Sequence, residues 1–358
     1  MLAETTRTAP VMHTTKTKCL LEGLRWSGMW TEVSADALAE LGLATVSHYH
    51  NVKPFRLRLL NSLGRLLGRW GTPIKAASQK RLVAHSNTVL LERAAAFKPD
   101  LLLSIQGKIT PQAIARLRAI SPHLRIIYWW GDPLSDQGRR RIFELAPHVD
   151  YILISYRGDL DELQASGLVN GRYFPFAASR KWHTGFALSE AERQRYTCDV
   201  SFAGTCSPKR EVLLRGLGER LGRPVKVWGR SWLGKRGVDW GGPLTMQETL
   251  KVHALSKIAL NINPDPARDG LNMKAYEIPA AGGFQICDAQ PVWSDIPLGR
   301  YVPTFHDLDE LSERVTYYLE HEDERREMAR LAHETVLASH TYRVEFEKLF
   351  KAIGLPLT

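Results

Sequence analysis

The sequence predicts an α/β protein that contains two separate parallel β-sheets. Its 358 residues exceed the length that one hydrophobic core usually serves. Strand-like apolar runs alternate with helical patterns, and this alternation starts afresh near residue 198. In chain order, the predicted divisions are a frayed or disordered tail at 1–18, an N-terminal domain at 19–174, a linker at 175–197, a C-terminal domain at 198–332 and a helix at 333–358 that packs back toward the N-terminal domain.

The N-terminal half carries four strand-like segments separated by helical ones. Pro99 and Pro111 stand where a strand and a helix are expected to begin, and Gly42 and Gly167 are expected to end two helices. The predicted strands are 19–24, 98–107, 124–132 and 148–156, and the predicted helices are 31–42, 111–121 and 160–167.

The C-terminal half repeats the pattern and ends in charge-rich helical sequence from Asp307 onward. Two Rossmann-like domains followed by C-terminal helices describe the GT-B architecture, although periplasmic binding proteins and two-domain epimerases show the same alternation. The predicted strands are 198–204, 224–229, 257–263 and 284–288, and the predicted helices are 211–222 and 246–256.

The net charge of +10 is confined to one half of the chain. Residues 1–180 hold 24 basic and 14 acidic side chains, so the whole excess lies there, and residues 41–91 contain eight basic side chains and no acidic one. This asymmetry predicts an anionic partner for the N-terminal half. Nucleic acid is not expected, because the aromatic residues do not interleave with the basic cluster as a stacking platform would.

Residues 55–70 form a basic amphipathic pattern, with leucines at helical spacing and arginines elsewhere. Such a helix either lies in a membrane interface or packs its leucines on the sheet. The membrane alternative predicts peripheral contact of residues 53–81 with an anionic membrane. The sparse cysteines and the lack of a signal-peptide pattern predict a cytoplasmic protein, with the inner membrane face as the site of any such contact.

A phosphate-binding loop is predicted after the first strand of the C-terminal half. Gly204 and Thr205 follow the apolar run, and Ser207–Pro208 is a typical helix start. Lys209 and Arg210 place two cations at a helix N-terminus, where the helix dipole disfavours them. A bound phosphate would offset that cost; alternatively, both side chains point into water.

The segment LNMKAYEIPAAGGFQICD is the second candidate. Asn272 is expected to cap a short helix that Pro279 interrupts and Gly282 ends. Lys274 and Glu277 lie one turn apart, which is typical of an exposed ion pair. The functional alternative places Glu277 on a ribose diol and the amides of Gly282 and Gly283 near a diphosphate.

Asp132 is the candidate for catalysis. It follows the apolar strand IIYWW in the sequence WWGDP, and ligands in open α/β sheets gather beyond the carboxyl ends of strands. Asp132 is therefore a candidate base for an acceptor hydroxyl, or a group that orients it. The structural alternative is an ordinary turn aspartate before proline. No metal-ligand spacing is found, and the two DxD sequences, at 159–161 and 307–309, open helical patterns.

These segments resemble the CgeB-like (spore maturation protein-like) glycosyltransferases, which are related to the group 1 GT-B transferases. The segments CDVSFAGTCSPKRE, SKIALNINPDPARDGLNMKAYEIPAAGGFQICD and YYLEHEDERREMARLAHETVLASHTY carry the resemblance. It covers roughly residues 95–350. Where the family has an arginine in N-x-R-x-F-E, this chain has Lys274, which keeps the charge but loses the bidentate fork.

The resemblance implies a nucleotide-sugar donor in the C-terminal domain and no metal cofactor. It places Glu277 on the ribose, and it places Lys209, Arg210, Gly282 and Gly283 near the diphosphate. Trp228 and Gly229 would border the base. The function expected is transfer of a sugar to an unknown acceptor that is anionic, membrane-associated, or a protein or glycan. The alternatives are a non-catalytic nucleotide-sugar binding protein and a nucleotide-sugar epimerase.

Overall fold

The computed structural model describes residues 16–25, 30–52, 62, 72–265 and 268–355. The side chains of residues 73–75 are not among those described. The expected tail at 1–18 lies almost wholly outside these residues, as does most of the basic segment at 53–81.

The first sheet contains six parallel strands in the order β2-β1-β3-β4-β5-β6. Its central strands are buried on both faces, as in β3, where all five residues are buried. Their continuous apolar sequence is what such burial requires. The strands are β1 Lys18–Gly23, β2 Ala44–Tyr49, β3 Leu101–Ile105, β4 Arg125–Trp130, β5 Tyr151–Ile154 and β6 Gly171–Tyr173.

The helices of this half connect the strands on both faces of the sheet. Thr110 and Ser135 cap two of them, because each hydroxyl accepts a hydrogen bond from the backbone N–H three residues on. The helices are α1 Trp30–Glu40, α2 Thr72–Phe97, α3 Pro111–Ile120, α4 Asp136–Leu145, α5 Arg157–Ala165, α6 Arg180–His183 and α7 Glu190–Tyr196.

The second sheet is also six-stranded and parallel, in the order β12-β11-β10-β7-β8-β9. The strands are β7 Cys198–Ala203, β8 Val225–Trp228, β9 Val238–Trp240, β10 Ser256–Asn261, β11 Gln285–Asp288 and β12 Thr304–Phe305. The helices are α8 Pro208–Arg220, α9 Met246–Leu255, α10 Lys274–Ala280, α11 Leu308–Glu320, α12 Glu322–Ser339 and α13 Tyr342–Ala352. Short 3₁₀ helices span Ala146–His148, Pro291–Asp295 and Pro297–Tyr301.

The two predicted parallel sheets are thus present, and every strand predicted from the sequence is found within a few residues of its expected bounds. Strands β2, β6, β9 and β12 and the helices α2, α4, α6 and α7 were not predicted.

The helix α13 packs against the first sheet. The Tyr342 and Phe346 rings lie 6.1 Å from Trp129 and 5.0 Å from Phe174, respectively, measured between centroids. The chain crosses between the halves twice, and the two crossings are hydrogen-bonded to each other. Ala178 N–H donates to His340 O at 2.8 Å, and Tyr342 N–H donates to Ala178 O at 2.9 Å.

The carboxyl ends of the two sheets meet at the end of β5. The N–H of Arg157 donates to the carbonyl of Asp269 at 2.9 Å, and its guanidinium lies 2.7 Å from the Asp295 carboxylate. Gly270 packs so closely against Tyr156 that a Cβ atom there would lie 2.4 Å from the ring. The strand ends that carry the candidate residues therefore face one cleft.

Candidate functional site

A cavity of about 330 Å³ lies at the carboxyl ends of β7 and β8, beside the start of α10. Small-molecule sites in proteins typically have volumes of roughly 300–1,000 Å³. Six residues predicted from the sequence as donor-binding line this cavity: Gly204, Thr205, Trp228, Gly229, Lys274 and Glu277. Three separate segments of sequence therefore contribute to one cavity.

Glu277 is the most unusual of these residues. It is 3% exposed, and its carboxylate has no hydrogen-bond or ion-pair partner among the described residues. Burial raises the pKa of this carboxyl, and the positive charge of Lys274 opposes the rise. A buried carboxylate without a partner is costly unless a ligand completes its hydrogen bonds. The structure thus does not contain the exposed Lys274–Glu277 ion pair that sequence spacing allowed.

Lys274 begins α10 and is half-buried at the cavity wall. Its N–H donates to Oδ1 of Asn272 at 2.9 Å, so Asn272 fixes the entry to the helix although Met273 occupies the N-cap position. The Asn272 amide in turn donates to Asn261 at 2.8 Å. Burial lowers the pKa of Lys274, and Glu277 partly restores it. Asn272 therefore positions the cavity wall and does not line the cavity.

Gly204 and Gly229 bring two backbone segments into close contact at the cavity floor. Gly229 has φ +123°, and a Cβ atom there would lie 2.4 Å from the carbonyl oxygen of Gly204. The Gly204 N–H donates to the Trp228 carbonyl at 2.8 Å. Only glycine permits both the left-handed backbone and this approach.

Trp228 is 1% exposed and packs edge-on against Tyr196, with ring centroids 5.4 Å apart. Arg230, two residues after Trp228, is exposed and lines the same cavity. It has no ion-pair partner among the described side chains. It was missed in the sequence analysis, although it directly follows the quoted Trp228–Gly229 pair. With Lys274, it gives the cavity two cations that have no ion-pair partner in the described part of the chain.

Lys209 and Arg210 are near the cavity but do not line it. Ser207 and Pro208 begin α8 as predicted. The Lys209 ammonium binds the buried Asp288 carboxylate at 2.9 Å. The Arg210 guanidinium donates to the carbonyl oxygens of Ile262 and Thr205, at 2.6 Å and 3.0 Å. Both cations bind oxygen atoms in the loops that follow the strands and so hold these loops together. These contacts account for two cations at a helix N-terminus without a bound anion.

Gly282 and Gly283 lie at the opposite end of α10 from the cavity. Gly282 has φ +82° and ends the helix, as the sequence predicts. Its N–H and that of Gly283 donate to the carbonyls of Pro279 and Ile278, each at 3.0 Å. These amides are already satisfied within the helix end, so the structure does not bring them to the diphosphate position inferred from the sequence.

Asp132 lies on a second cavity of about 590 Å³ at the carboxyl ends of β3 and β4. Its side chain is exposed and has no partner among the described residues. Burial raises the pKa of Tyr156 at the end of β5, and the charges of Asp132 and Asp159 raise it further.

Two residues that organise the cleft gave only a weak signal in the sequence. Tyr156 ends the strand-like run 148–156, and Asp288 ends the run 284–288. Asp288 accepts hydrogen bonds from the backbone N–H and side-chain amide of Asn263, both at 2.9 Å. A polar residue at the carboxyl end of a buried parallel strand is the pattern that identifies both.

Within the described ranges, no group of three or more His, Cys, Asp or Glu side chains is arranged to hold a metal ion. None of the helices in that part of the chain has the length and apolar character needed to cross a bilayer.

Two parallel sheets with alternating helices, facing one cleft, define a two-domain α/β protein with the GT-B fold. Similar solved structures include a sucrose-phosphate synthase from Thermosynechococcus elongatus, at 12% identity and a TM-score of 0.58, with 95% of this chain and 99% of that one covered. An α,α-trehalose 6-phosphate synthase from Burkholderia multivorans is similar at 10% identity, a TM-score of 0.60 and coverage of 95% and 99%. MnaA of S. aureus, solved with UDP, is similar at 9% identity, a TM-score of 0.52 and coverage of 96% and 98%.

A family model described as glycosyl transferase-like matches residues 209–351. The matched segment lies in the C-terminal half and includes Arg230, Lys274 and Glu277. No curated protein sequence matches the chain.

Proposed function

We propose that the chain is a glycosyltransferase of the CgeB-like type that uses a nucleoside diphosphate sugar as donor. The observation that carries the proposal is the buried, unpartnered carboxylate of Glu277 in a cavity that also contains the unpaired cations Lys274 and Arg230. A ribose diol supplies two hydroxyl donors for the carboxylate, and a diphosphate supplies the anion for the cations. The matched family domain covers these three residues.

In this proposal, the nucleotide binds with its ribose on Glu277 and its diphosphate near Lys274, Arg230 and the backbone at Gly204. Trp228 and Gly229 border the base. An acceptor hydroxyl oxygen forms the new bond to the anomeric carbon, while the bond from that carbon to the diphosphate oxygen breaks and its electrons pass to the departing diphosphate. Asp132, on the facing cavity, accepts the hydroxyl proton or orients the hydroxyl.

Lys274 and Arg230 supply positive charge where the leaving nucleotide develops negative charge. We therefore propose transfer that does not require a divalent cation. Activity that persists in excess EDTA supports this part, and activity that returns only when Mg²⁺ or Mn²⁺ is added contradicts it.

For the acceptor side, we propose an anionic or membrane-associated partner in the cytoplasm, because the charge excess lies wholly in residues 1–180. The segment 53–81 is the proposed membrane contact, although most of it lies outside the described residues. Co-sedimentation with anionic liposomes that decreases with salt supports contact. Equal partitioning onto neutral liposomes, or none onto either, contradicts it.

The proposed function is tested by thermal shift with UDP, GDP and dTDP, followed by turnover of the corresponding nucleotide sugars. At least one nucleotide is expected to raise the melting temperature, and the matching sugar nucleotide is expected to be hydrolysed slowly without acceptor. Binding without any turnover identifies a non-catalytic binding protein. Interconversion of the donor sugar without nucleotide release identifies an epimerase. No shift with any nucleotide at millimolar concentration overturns the donor site.

A further inference from the structure

The cavity that Asp132 lines has its own set of charged and polar side chains. It lies between the ends of β3 and β4 and the helix α4, with a volume of about 590 Å³. Of the residues that line it, only Asp132 was selected as a site residue from the sequence.

Two cations of this cavity are unpaired. Lys108 and Arg140 are exposed, and neither has a carboxylate within 4.0 Å among the described residues. In contrast, the neighbouring Arg141 is bound to Glu144 at 3.0 Å. The lining therefore has one positive charge more than negative charges, even when Asp132 is counted.

Two N–H donors of the same cavity also lack acceptors. The side-chain amide nitrogen of Gln106 and the indole nitrogen of Trp130 are buried, and neither has a hydrogen-bond partner among the described residues. Gln106 also has φ +47°, a left-handed conformation that non-glycine residues adopt rarely. Strained residues cluster where the surrounding structure holds them for binding or catalysis.

A buried carboxylate holds the strained loop in place. Glu22 is 1% exposed, and it accepts hydrogen bonds from the N–H of Lys108 at 2.8 Å and from the hydroxyl of Ser104 at 2.7 Å. A Cβ atom on Gly107 would lie 2.2 Å from the Glu22 carboxylate, so only glycine fits between them. The loop 106–108 is therefore fixed before any ligand binds.

We propose that this cavity binds a polyhydroxylated acceptor that carries a carboxylate or phosphate group. Lys108 and Arg140 bind the anionic group, and Asp132 faces the hydroxyl that reacts. The Trp130 indole offers an apolar wall for a sugar ring, beside Gln106. The inference rests on the proposed function, because it assigns the acceptor half of the same transfer.

The test uses three sugars that differ only at C6: glucose, glucuronate and glucose 6-phosphate. Binding is followed through the Trp130 indole N–H resonance of the ¹⁵N-labelled protein saturated with UDP, assigned with Trp130→Phe. At least one of the two anionic sugars is expected to shift the resonance with an affinity about tenfold or more above that of glucose, since charge-assisted hydrogen bonds are added. Which of the two binds more tightly distinguishes a carboxylate from a phosphate acceptor.

The variants Lys108→Gln and Arg140→Gln are expected to reduce the preference for the anionic sugar by about tenfold each. Arg116→Gln is the matched control, because Arg116 is an exposed arginine on α3 that does not line the cavity. It removes the same charge and is expected to leave the preference unchanged.

The affinity for UDP separates this inference from the proposed function. If UDP does not bind, the proposed function fails. If UDP binds while the three sugars bind equally, or neither anionic sugar shifts the indole resonance, the donor site stands and the acceptor inference is overturned. An equal loss of preference in Arg116→Gln also overturns it, because the effect is then one of overall charge.

Discussion

The Lys209 ammonium lies 2.9 Å from the Asp288 carboxylate and joins the start of α8 to the end of β11 across 79 positions of sequence. Asp288 is 6% exposed, whereas the Lys209 side chain is about one-third exposed. The ion pair therefore holds together the loops beside the donor cavity. Lys209 stabilises the fold there and does not line the cavity.

Lys209→Met is expected to destabilise the protein by about 1–3 kcal/mol, because the buried Asp288 carboxylate loses its cation and keeps only the hydrogen bonds from Asn263 and Cys287. Urea unfolding measures the change. Lys257→Met is the control: Lys257 is half-exposed and binds Asp199 at 2.7 Å, so its loss is expected to cost less than about 1 kcal/mol. Equal losses in the two variants would show that the Lys209 pair behaves as a surface pair.

Glu277→Gln is expected to change stability and donor affinity in opposite directions. Burial raises the pKa of Glu277, so its ionised form destabilises the folded state near neutral pH, and the neutral amide is expected to raise the free energy of unfolding. The affinity for the nucleotide is expected to fall by about 1–3 kcal/mol, because the carboxylate no longer binds the ribose.

The two changes are measured by urea unfolding without ligand and by titration with the nucleotide identified in the thermal-shift screen. Because the pKa of Glu277 is raised in the folded state, its contribution to wild-type stability becomes more favourable as the pH falls through that pKa. A variant with unchanged nucleotide affinity would remove Glu277 from the donor site.

Gly229→Ala is expected to be more damaging than Gly242→Ala. Both glycines have positive φ, +123° and +101°, so both variants carry the cost of a left-handed alanine. Only at Gly229 does the added Cβ also meet the Gly204 carbonyl, because the space at Gly242 is open. We expect Gly229→Ala to lower the melting temperature further and to raise the KM for the donor, whereas Gly242→Ala leaves KM unchanged. Identical effects on both would mean that the close approach has no role in the cavity.

His253→Leu is expected to weaken the acid sensitivity of the fold. His253 is fully buried, and neither ring nitrogen has a partner among the described residues. Burial lowers its pKa to about 3, with smaller contributions from the Lys274 and His183 charges. The folded state then binds fewer protons than the unfolded state, so stability is complete above the ordinary histidine pKa and is lost as the pH falls toward 3.

The titration of His253 alone is expected to lower the wild-type free energy of unfolding by about 2 kcal/mol between pH 7 and pH 5. The leucine variant is expected to lack this contribution to the slope of stability against pH. Chemical unfolding at the two pH values measures it. His148→Leu, at an exposed position, is expected to keep the wild-type slope. If both variants keep it, proton uptake at His253 does not control acid unfolding.

The strands that sequence analysis missed are the four outermost strands of the two sheets. Three of them, Gly171–Tyr173, Val238–Trp240 and Thr304–Phe305, have three residues or fewer. The fourth, Ala44–Tyr49, is half-exposed along most of its length. Edge strands need no continuous apolar run because one side has no neighbour. The central strands were predicted because they are buried on both faces.

Site residues that directly follow a buried strand could be located from the sequence. Site residues on a helix were harder to locate. Trp228 and Gly229 were located by their strand end. For α10, the sequence placed Lys274, Glu277, Gly282 and Gly283 on one helix but did not show which end meets the cavity, and seven residues separate the ends by about 10 Å. The Lys209–Asp288 ion pair joins residues 79 positions apart, and no spacing pattern in the sequence identifies such a contact.

The packing of residues 342–352 on the first sheet has a consequence for chain connectivity. The half that contains the first sheet is not one continuous stretch of polypeptide, because the core around Trp129 and Phe174 is completed by a helix that follows the entire second sheet. A gene divided in the linker therefore yields an N-terminal fragment with an uncovered aromatic face. During synthesis, the first core closes only after the second sheet has been made, which couples the folding of the two halves.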